Sequence, residues 1–190
     1  MDKKLLIKLK EMLVAEEGSY NHMYCDTTGN VTIGVGHLIA NAEEAVKLPF
    51  RFGNRRANDL EIKEEYMRIR QLGKNYSNYK ANWYGRYTNL YLEDEDITKI
   101  FEVDITRIVK SLIYQLKSKK DIDFNKQPNE VKLALLDMAY NLGVNGLISK
   151  FPRFMKAIKE EDYELAARES RRIGVPDRRN KAVKDLLLQA

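Results

Sequence analysis

Apolar positions change period along the chain, and each change predicts a different kind of element. Leu5, Leu9, Met12 and Leu13 recur at helical spacing among lysines and glutamates, which predicts a first helix over residues 3–17. Gly18 follows directly and suits a helix end, so Glu17 is expected at the C-terminal edge. Further on the period shortens. Val31, Ile33 and Val35 alternate with Thr32, Gly34 and Gly36, the pattern of a half-buried strand. The preceding Thr28-Gly29-Asn30 reads as a turn, because Gly and Asn tolerate positive φ, and a hairpin followed by His37-Leu38 results.

Residues 40–91 carry the weakest pattern. Pro49 and Gly53 interrupt it; Asn58 followed by Glu61 resembles a helix cap, and Ile62, Tyr66 and Ile69 mark one face of a short helix ending near Gly73. An aromatic run follows: Tyr76, Tyr79, Trp83, Tyr84, Tyr87 and Tyr91. From Glu93-Asp94-Glu95-Asp96, acids suited to the positive end of a helix, a stripe of Ile97, Phe101, Ile108, Leu112 and Leu116 predicts a long helix to about residue 117. Residues 118–127 read as a loop. Residues 128–142 are apolar on most sides, which predicts a central buried helix ended by Gly143 and Gly146. Shorter helices are expected over 152–160, 162–171 and 177–189, with Pro152 and Pro176 near two of their starts. The fold class is α+β, mostly helical with one small hairpin sheet.

Composition adds limits rather than a function. The chain has 190 residues, enough for one domain with a core or two lobes sharing a helix. A single domain is expected, with a hairpin lobe over 18–91 that contains an inserted segment at 40–91, and a helical lobe from 1–17 and 92–190. No apolar run approaches the length of a membrane span, so stable membrane insertion is not expected. The amphipathic start lacks the apolar core of a signal peptide, which predicts synthesis in the cytoplasm and release by another route. Cys25 is the only cysteine, so no internal disulfide forms, and a structural thiol is the favoured reading. Two histidines, His22 and His37, are too few for a histidine-based metal centre. The net charge of +5 favours an anionic partner, whether nucleic acid, membrane surface or bacterial wall polymer.

Glu17-Gly18, Asp26, Thr32, Gly34, Gly36 and His37 stand on this helix and hairpin at spacings that resemble the catalytic region of the phage-type lysozymes, the family of T-even bacteriophage lysozyme. The likeness continues in Phe101-Glu102-Val103-Asp104, in Ala134 to Gly143, in Ala166-Ala167, in Ser170-Arg171 and in Arg179-Asn180. It fails over residues 40–91, a stretch longer than in compact members.

The resemblance implies a two-lobed lysozyme-like fold and a muramidase that needs no metal or cofactor, cleaving the β-1,4 bond between N-acetylmuramic acid and N-acetylglucosamine. Its catalytic residues would be Glu17, Asp26 and Thr32. Glycoside cleavage needs one carboxyl group to protonate the leaving oxygen and one carboxylate to serve the other face of the sugar. The negative partial charge at a helix C-terminus favours the proton-bearing form of Glu17, as a general acid requires. Asp26 and Thr32 lie symmetrically about Gly29, so a turn with an odd number of residues would set them face to face, and an even turn would point one away. Together they could hold a water opposite Glu17, which implies inversion at the anomeric carbon. Gly34 and Gly36 would leave space for the sugar ring.

Other positions keep two readings. His37 is a tempting base, but the family pattern uses it structurally, paired with Asp104, whose place on an apolar stripe makes an unpaired carboxylate costly. Leu38, Tyr140 and Asn141 are candidates for substrate contact or for core. Arg179, with Arg178 as the alternative, is expected to reach Glu17. Residues 40–91 are expected to form an extra helical arm, whose aromatic run either packs on its own helix or stacks on sugars. The expected partner is bacterial peptidoglycan, acted on by a monomer, with nucleic acid disfavoured because no binding signature is present. A phage endolysin and a secreted antibacterial toxin both fit. The rival readings are a chitinase-like or transglycosylase activity and a catalytically silent wall-binding module.

Overall fold

The computed structural model describes residues 2–76 and 78–190. In chain order the helices are α1 Lys3–Glu17, α2 Ala42–Val46, α3 Asp59–Tyr76, α4 Ala81–Tyr84, α5 Asp94–Lys120, α6 Asn129–Leu142, α7 Val144–Lys150, α8 Pro152–Lys159, α9 Tyr163–Glu169 and α10 Asp177–Leu187. The strands are β1 Tyr20–Cys25, β2 Val31–Gly34, β3 His37–Leu38, β4 Arg51–Phe52 and β5 Arg55–Arg56. The class is α+β. Two compact units share the chain: Glu17–Asp104, and Met1–Glu16 with Ile105–Ala190. Among the described residues, no helix is long and apolar enough to cross a membrane.

In the Glu17–Asp104 unit, β1, β2 and β3 form an antiparallel sheet with β2 in the middle. All four residues of β2 are buried, so the expected alternation of a half-exposed strand does not appear. Helix α3 lies against β1, where the Cys25 thiol donates to the Ile69 carbonyl at 3.3 Å. A Cβ at Gly73 would lie 2.3 Å from Cys25 Sγ. Gly73 therefore does not end α3, as the pattern suggested. It sits inside the helix, which runs to Tyr76, and lets helix and strand approach.

The start of α3 is the expected capping box: the Asn58 amide donates to the Glu61 carboxylate at 2.8 Å, and the Glu61 amide donates to Asn58 Oδ1 at 3.0 Å. The rest of residues 40–91 mixes short helices with the β4–β5 hairpin, which pairs onward through Arg51 and Tyr91. Strands of two residues lie below any periodic signal, so this hairpin had no trace in the pattern.

In the other unit, α6 buries Val131, Leu133, Ala134, Leu135, Leu136, Met138 and Ala139, the all-round burial that its sequence predicted. Gly143 ends it at φ +70°, but α7 begins at once and contains Gly146, which is no terminator. Helix α5 runs to Lys120, past the expected end, and its buried stripe passes through Ile105, with Ile108 only half-buried. Pro152 opens α8, and the Asp162 side chain caps α9 by accepting from Leu165 N–H at 2.9 Å.

Candidate active site

Glu17 is the last residue of α1. Gly18 then takes φ +76°, and a Cβ there would lie 2.7 Å from the Tyr20 ring. Only glycine fits both demands at the position between Glu17 and β1. The Tyr20 ring meets Tyr24 edge-on, with centroids 5.1 Å apart.

The hairpin tip places Asp26. The Asp26 N–H donates to the Asn30 carbonyl at 2.9 Å, and Tyr24 pairs with Thr32 across the strands. The turn is thus Thr27-Thr28-Gly29, centred on Thr28. Its length is odd, as the face-to-face reading required, but the centre differs from the Gly29 expected. Asp26 therefore stands opposite Asn30, and Thr32 opposite Tyr24. Because Tyr24 and Asp26 are two apart on one strand, Asp26 and Thr32 occupy diagonal rather than facing positions. Gly29 takes φ +82° whereas Asn30 does not adopt positive φ. Asn30 is used for its hydrogen bonds instead.

Asp26 is held by neutral donors. Its Oδ1 accepts from Thr28 N–H at 2.9 Å, the Thr28 hydroxyl at 2.8 Å and Asn30 N–H at 2.8 Å. Its Oδ2 accepts from the Asn30 side-chain amide at 3.1 Å. Partial burial pushes the carboxyl up, but these donors outweigh it and hold Asp26 below the ordinary aspartate range. It is a carboxylate at neutral pH. The Thr32 hydroxyl donates to the Asn30 carbonyl at 3.1 Å, so Asn30 ties the two candidate catalytic residues together. The turn pattern carries no signal of this role, since Asn30 there reads as a turn former.

Leu38 pairs with Thr32 on the other side of β2. The row Leu38, Thr32, Tyr24 therefore crosses all three strands on one face. Leu38 is 54% exposed, which removes the core reading. Tyr24 is buried, and its phenol is pushed well above the usual range by burial first, then by the charges of Glu17, Tyr20 and Asp26. Tyr24 thus lies within electrostatic reach of both candidate carboxyl groups, a position the motif did not single out.

Gly34 takes φ +63°, and the volume its Cβ would fill is bounded by Ile97 Cγ2 at 3.2 Å. The missing side chain serves packing and backbone direction at this position, not the sugar space expected of it. Gly36 takes φ +83° in the following turn. His37 Nδ1 lies 2.6 Å from Asp104 Oδ2, both part-buried, which brings together the pair expected from the stripe. Cys25 is buried and its thiol is pushed up to about 11, mainly by burial and then by the Asp26 charge. That environment suits a structural thiol and not a nucleophile.

Arg179, Tyr140 and Asn141 belong to the other unit. Arg179 is buried, and its Nε donates to Asp137 Oδ1 at 3.0 Å; Arg172 Nη1 lies 2.8 Å from Asp137 Oδ2. Arg172 is 2% exposed, and burial pulls its guanidinium down against the Asp137 charge. Asn141 is exposed beside Arg172 Nη1 at 3.5 Å, and Tyr140 is half-buried. Arg178 donates to the Ala15 carbonyl at 3.0 Å and pairs with Glu16 at 3.1 Å. The buried Asp137–Arg172 pair had no signal in the sequence. Among the described residues, no group of three or more His, Cys, Asp or Glu side chains is gathered as metal ligands would be.

No protein-family model matches the chain. It is 26% identical over 166 residues to the probable T4-type lysozyme 1 of Dictyostelium discoideum, covering 87% of this chain and 82% of that protein. It is 27% identical over 163 residues to the probable T4-type lysozyme 2 of the same organism, covering 86% of this chain and 81% of that protein. A third likeness, 26% over 165 residues, is to the pre-baseplate central spike protein Gp5 of Enterobacteria phage T4, of which only 24% is covered. With an α+β fold and likenesses that run along most of its length, the chain is similar to the T4-type lysozymes.

Proposed function

We propose that the protein is a muramidase that hydrolyses the β-1,4 bond between N-acetylmuramic acid and N-acetylglucosamine in bacterial peptidoglycan, with inversion. The observation that carries this reading is the Asp26 carboxylate. Three donors saturate Oδ1, whereas Oδ2 accepts one described bond and keeps a lone pair for a water. Glu17 delivers a proton to the leaving glycosidic oxygen as the bond to the anomeric carbon breaks. Asp26 Oδ2 takes a proton from a water whose oxygen forms the new bond on the opposite face, and Thr32 positions that water. One water is consumed; Glu17 ends ionised and Asp26 protonated, and exchange with solvent restores both. Leu38, exposed beside Thr32, supplies an apolar surface for a sugar ring.

The setting that this activity fits is bacterial lysis, by a phage endolysin or a secreted antibacterial toxin. The test is clearing of permeabilised cell walls with mass analysis of the products. Fragments that gain one water and end in reducing N-acetylmuramic acid are expected, with Glu17→Gln folded and inactive. Anhydro-sugar ends would assign a transglycosylase, and full clearing by Glu17→Gln would remove the mechanism.

A further inference from the structure

The aromatic run in the Glu17–Asp104 unit divides into two jobs. Tyr84 is fully buried, and its hydroxyl donates to the Tyr76 carbonyl at 2.7 Å, so it packs. Around it the rings open outward: Tyr76 is 40% exposed, Tyr79 49% and Tyr87 37%. All three surround the half-buried Trp83, at centroid distances of 5.2, 4.5 and 4.7 Å. The exposed Arg86 guanidinium lies 5.8 Å from the Trp83 ring centre. Packing alone does not call for that many exposed ring faces in one cluster. Contiguous apolar patches on a soluble protein usually mark binding surfaces.

The cluster is also joined to the candidate site. Tyr24, opposite Thr32, meets Tyr20 at 5.1 Å, and Tyr20 meets the His22 ring at 5.9 Å. His22 Nε2 lies 3.1 Å from the Ala81 carbonyl, and a Cβ on Gly85 would come within 3.2 Å of the His22 ring. Ala81 and Gly85 bracket Trp83 in the sequence. A line of rings therefore runs from Tyr24 along β1 to the α4 segment that carries the cluster.

We propose that Tyr76, Tyr79, Trp83 and Tyr87 form a second saccharide-binding platform, which holds the same glycan strand that the candidate active site cleaves. This rests on the muramidase reading. A β-1,4-linked amino-sugar strand carries its substituents equatorially, so its pyranose faces present C–H groups that stack on aromatic rings. Tyrosine hydroxyls and a tryptophan edge meet the flanking hydroxyls and acetamides. Arg86 meets the carboxylates of stem peptides, or of lactyl groups that carry none. The platform would retain a long strand between cleavage events.

Trp83 is the single tryptophan of the chain, so its emission reports this surface alone. The experiment titrates the Glu17→Gln protein with soluble, uncross-linked peptidoglycan glycan strands while following Trp83 emission. In parallel the unaltered protein is tested for hydrolysis of the same strands. A saturable emission change is expected, and Tyr79→Ala or Tyr87→Ala in the Glu17→Gln protein should weaken the binding by about fivefold. Both positions are exposed, and a melting curve checks that each variant is folded. Hydrolysis without any change at Trp83 overturns the platform and leaves the muramidase reading intact. A saturable change without hydrolysis supports the platform as a glycan-binding surface and removes the muramidase reading. Neither signal overturns both.

Discussion

Two aspartates in different parts of the molecule show how differently the fold treats a carboxylate. Asp137, on the central helix α6, is buried and closed on both oxygens by cations, Arg179 on one and Arg172 on the other. Asp26, at the hairpin tip, is held by neutral hydroxyl and amide donors that place three bonds on one oxygen and one on the second. Closing a buried carboxylate with two guanidinium groups fixes architecture, because removing any member leaves a desolvated charge behind. Holding one with neutral donors keeps it ionised without an adjacent cation to compete for a proton. The difference separates a group that holds helices together from one that is available for chemistry.

The sharpest way to break this contrast is to exchange the consequences. Asp26→Asn keeps the shape but removes the proposed base, so clearing of cell walls should fall by about 10²–10⁴-fold while the melting temperature changes little. A variant that is clearly less stable and keeps its specific activity would reverse the assignment. Asp137→Ala should do the opposite and cost about 3–5 kcal/mol in denaturant unfolding, since two buried guanidinium groups lose their counter-charge. A cost below about 1 kcal/mol would show that Arg172 and Arg179 are not held by Asp137.

Smaller effects test how the hairpin is supported. Gly73→Ala drives a methyl group into Cys25 Sγ and should cost about 1–3 kcal/mol of stability, read from the same unfolding curves. An unchanged midpoint would mean that α3 and β1 do not approach as described. The Cys25 thiol, raised to about 11 from 9.0, contributes stability that is fully present below 9.0 and is lost as pH rises through about 11. Alkylation of the folded protein at pH 8 should be slow and should become rapid on unfolding. Equal rates in both states would contradict its burial.

The hairpin tip also sets a pH dependence. The Asp26 carboxylate is depressed below 3.8, so its contribution is present above that value and is lost as pH falls through the lower folded one. The acid limb that Asp26 imposes on kcat/KM should therefore lie below 3.8. A limb from this residue at higher pH, removed by Asp26→Asn, would show that its donors do not hold it ionised.

What the sequence made legible was local. Glu17 at a helix end, the hairpin that follows it and the apolar surround of α6 follow from periods and single punctuating residues. The pairing of His37 with Asp104 followed from an expensive carboxylate on an apolar stripe and the family layout. What stayed hidden depended on partners distant in the chain. Gly73 and Gly146 each carry two meanings, terminator or close approach, and for Gly73 the choice is made by Cys25 across the sheet. The turn centred on Thr28 because the Asp26 side chain gathers the N–H groups of Thr28 and Asn30, a competition that alternation alone does not reveal. The pair of Asp137 with Arg172 joins segments with no shared pattern.

In the proposed mechanism Asp26 activates a water and does not itself attack the sugar. Proton NMR of freshly cleaved soluble glycan strands tests it most directly, by recording which anomer of the new reducing end appears first. Inversion gives the α-anomer first, with the β-anomer growing in by mutarotation. Appearance of the β-anomer first would mean net retention, and would contradict the role assigned to Asp26.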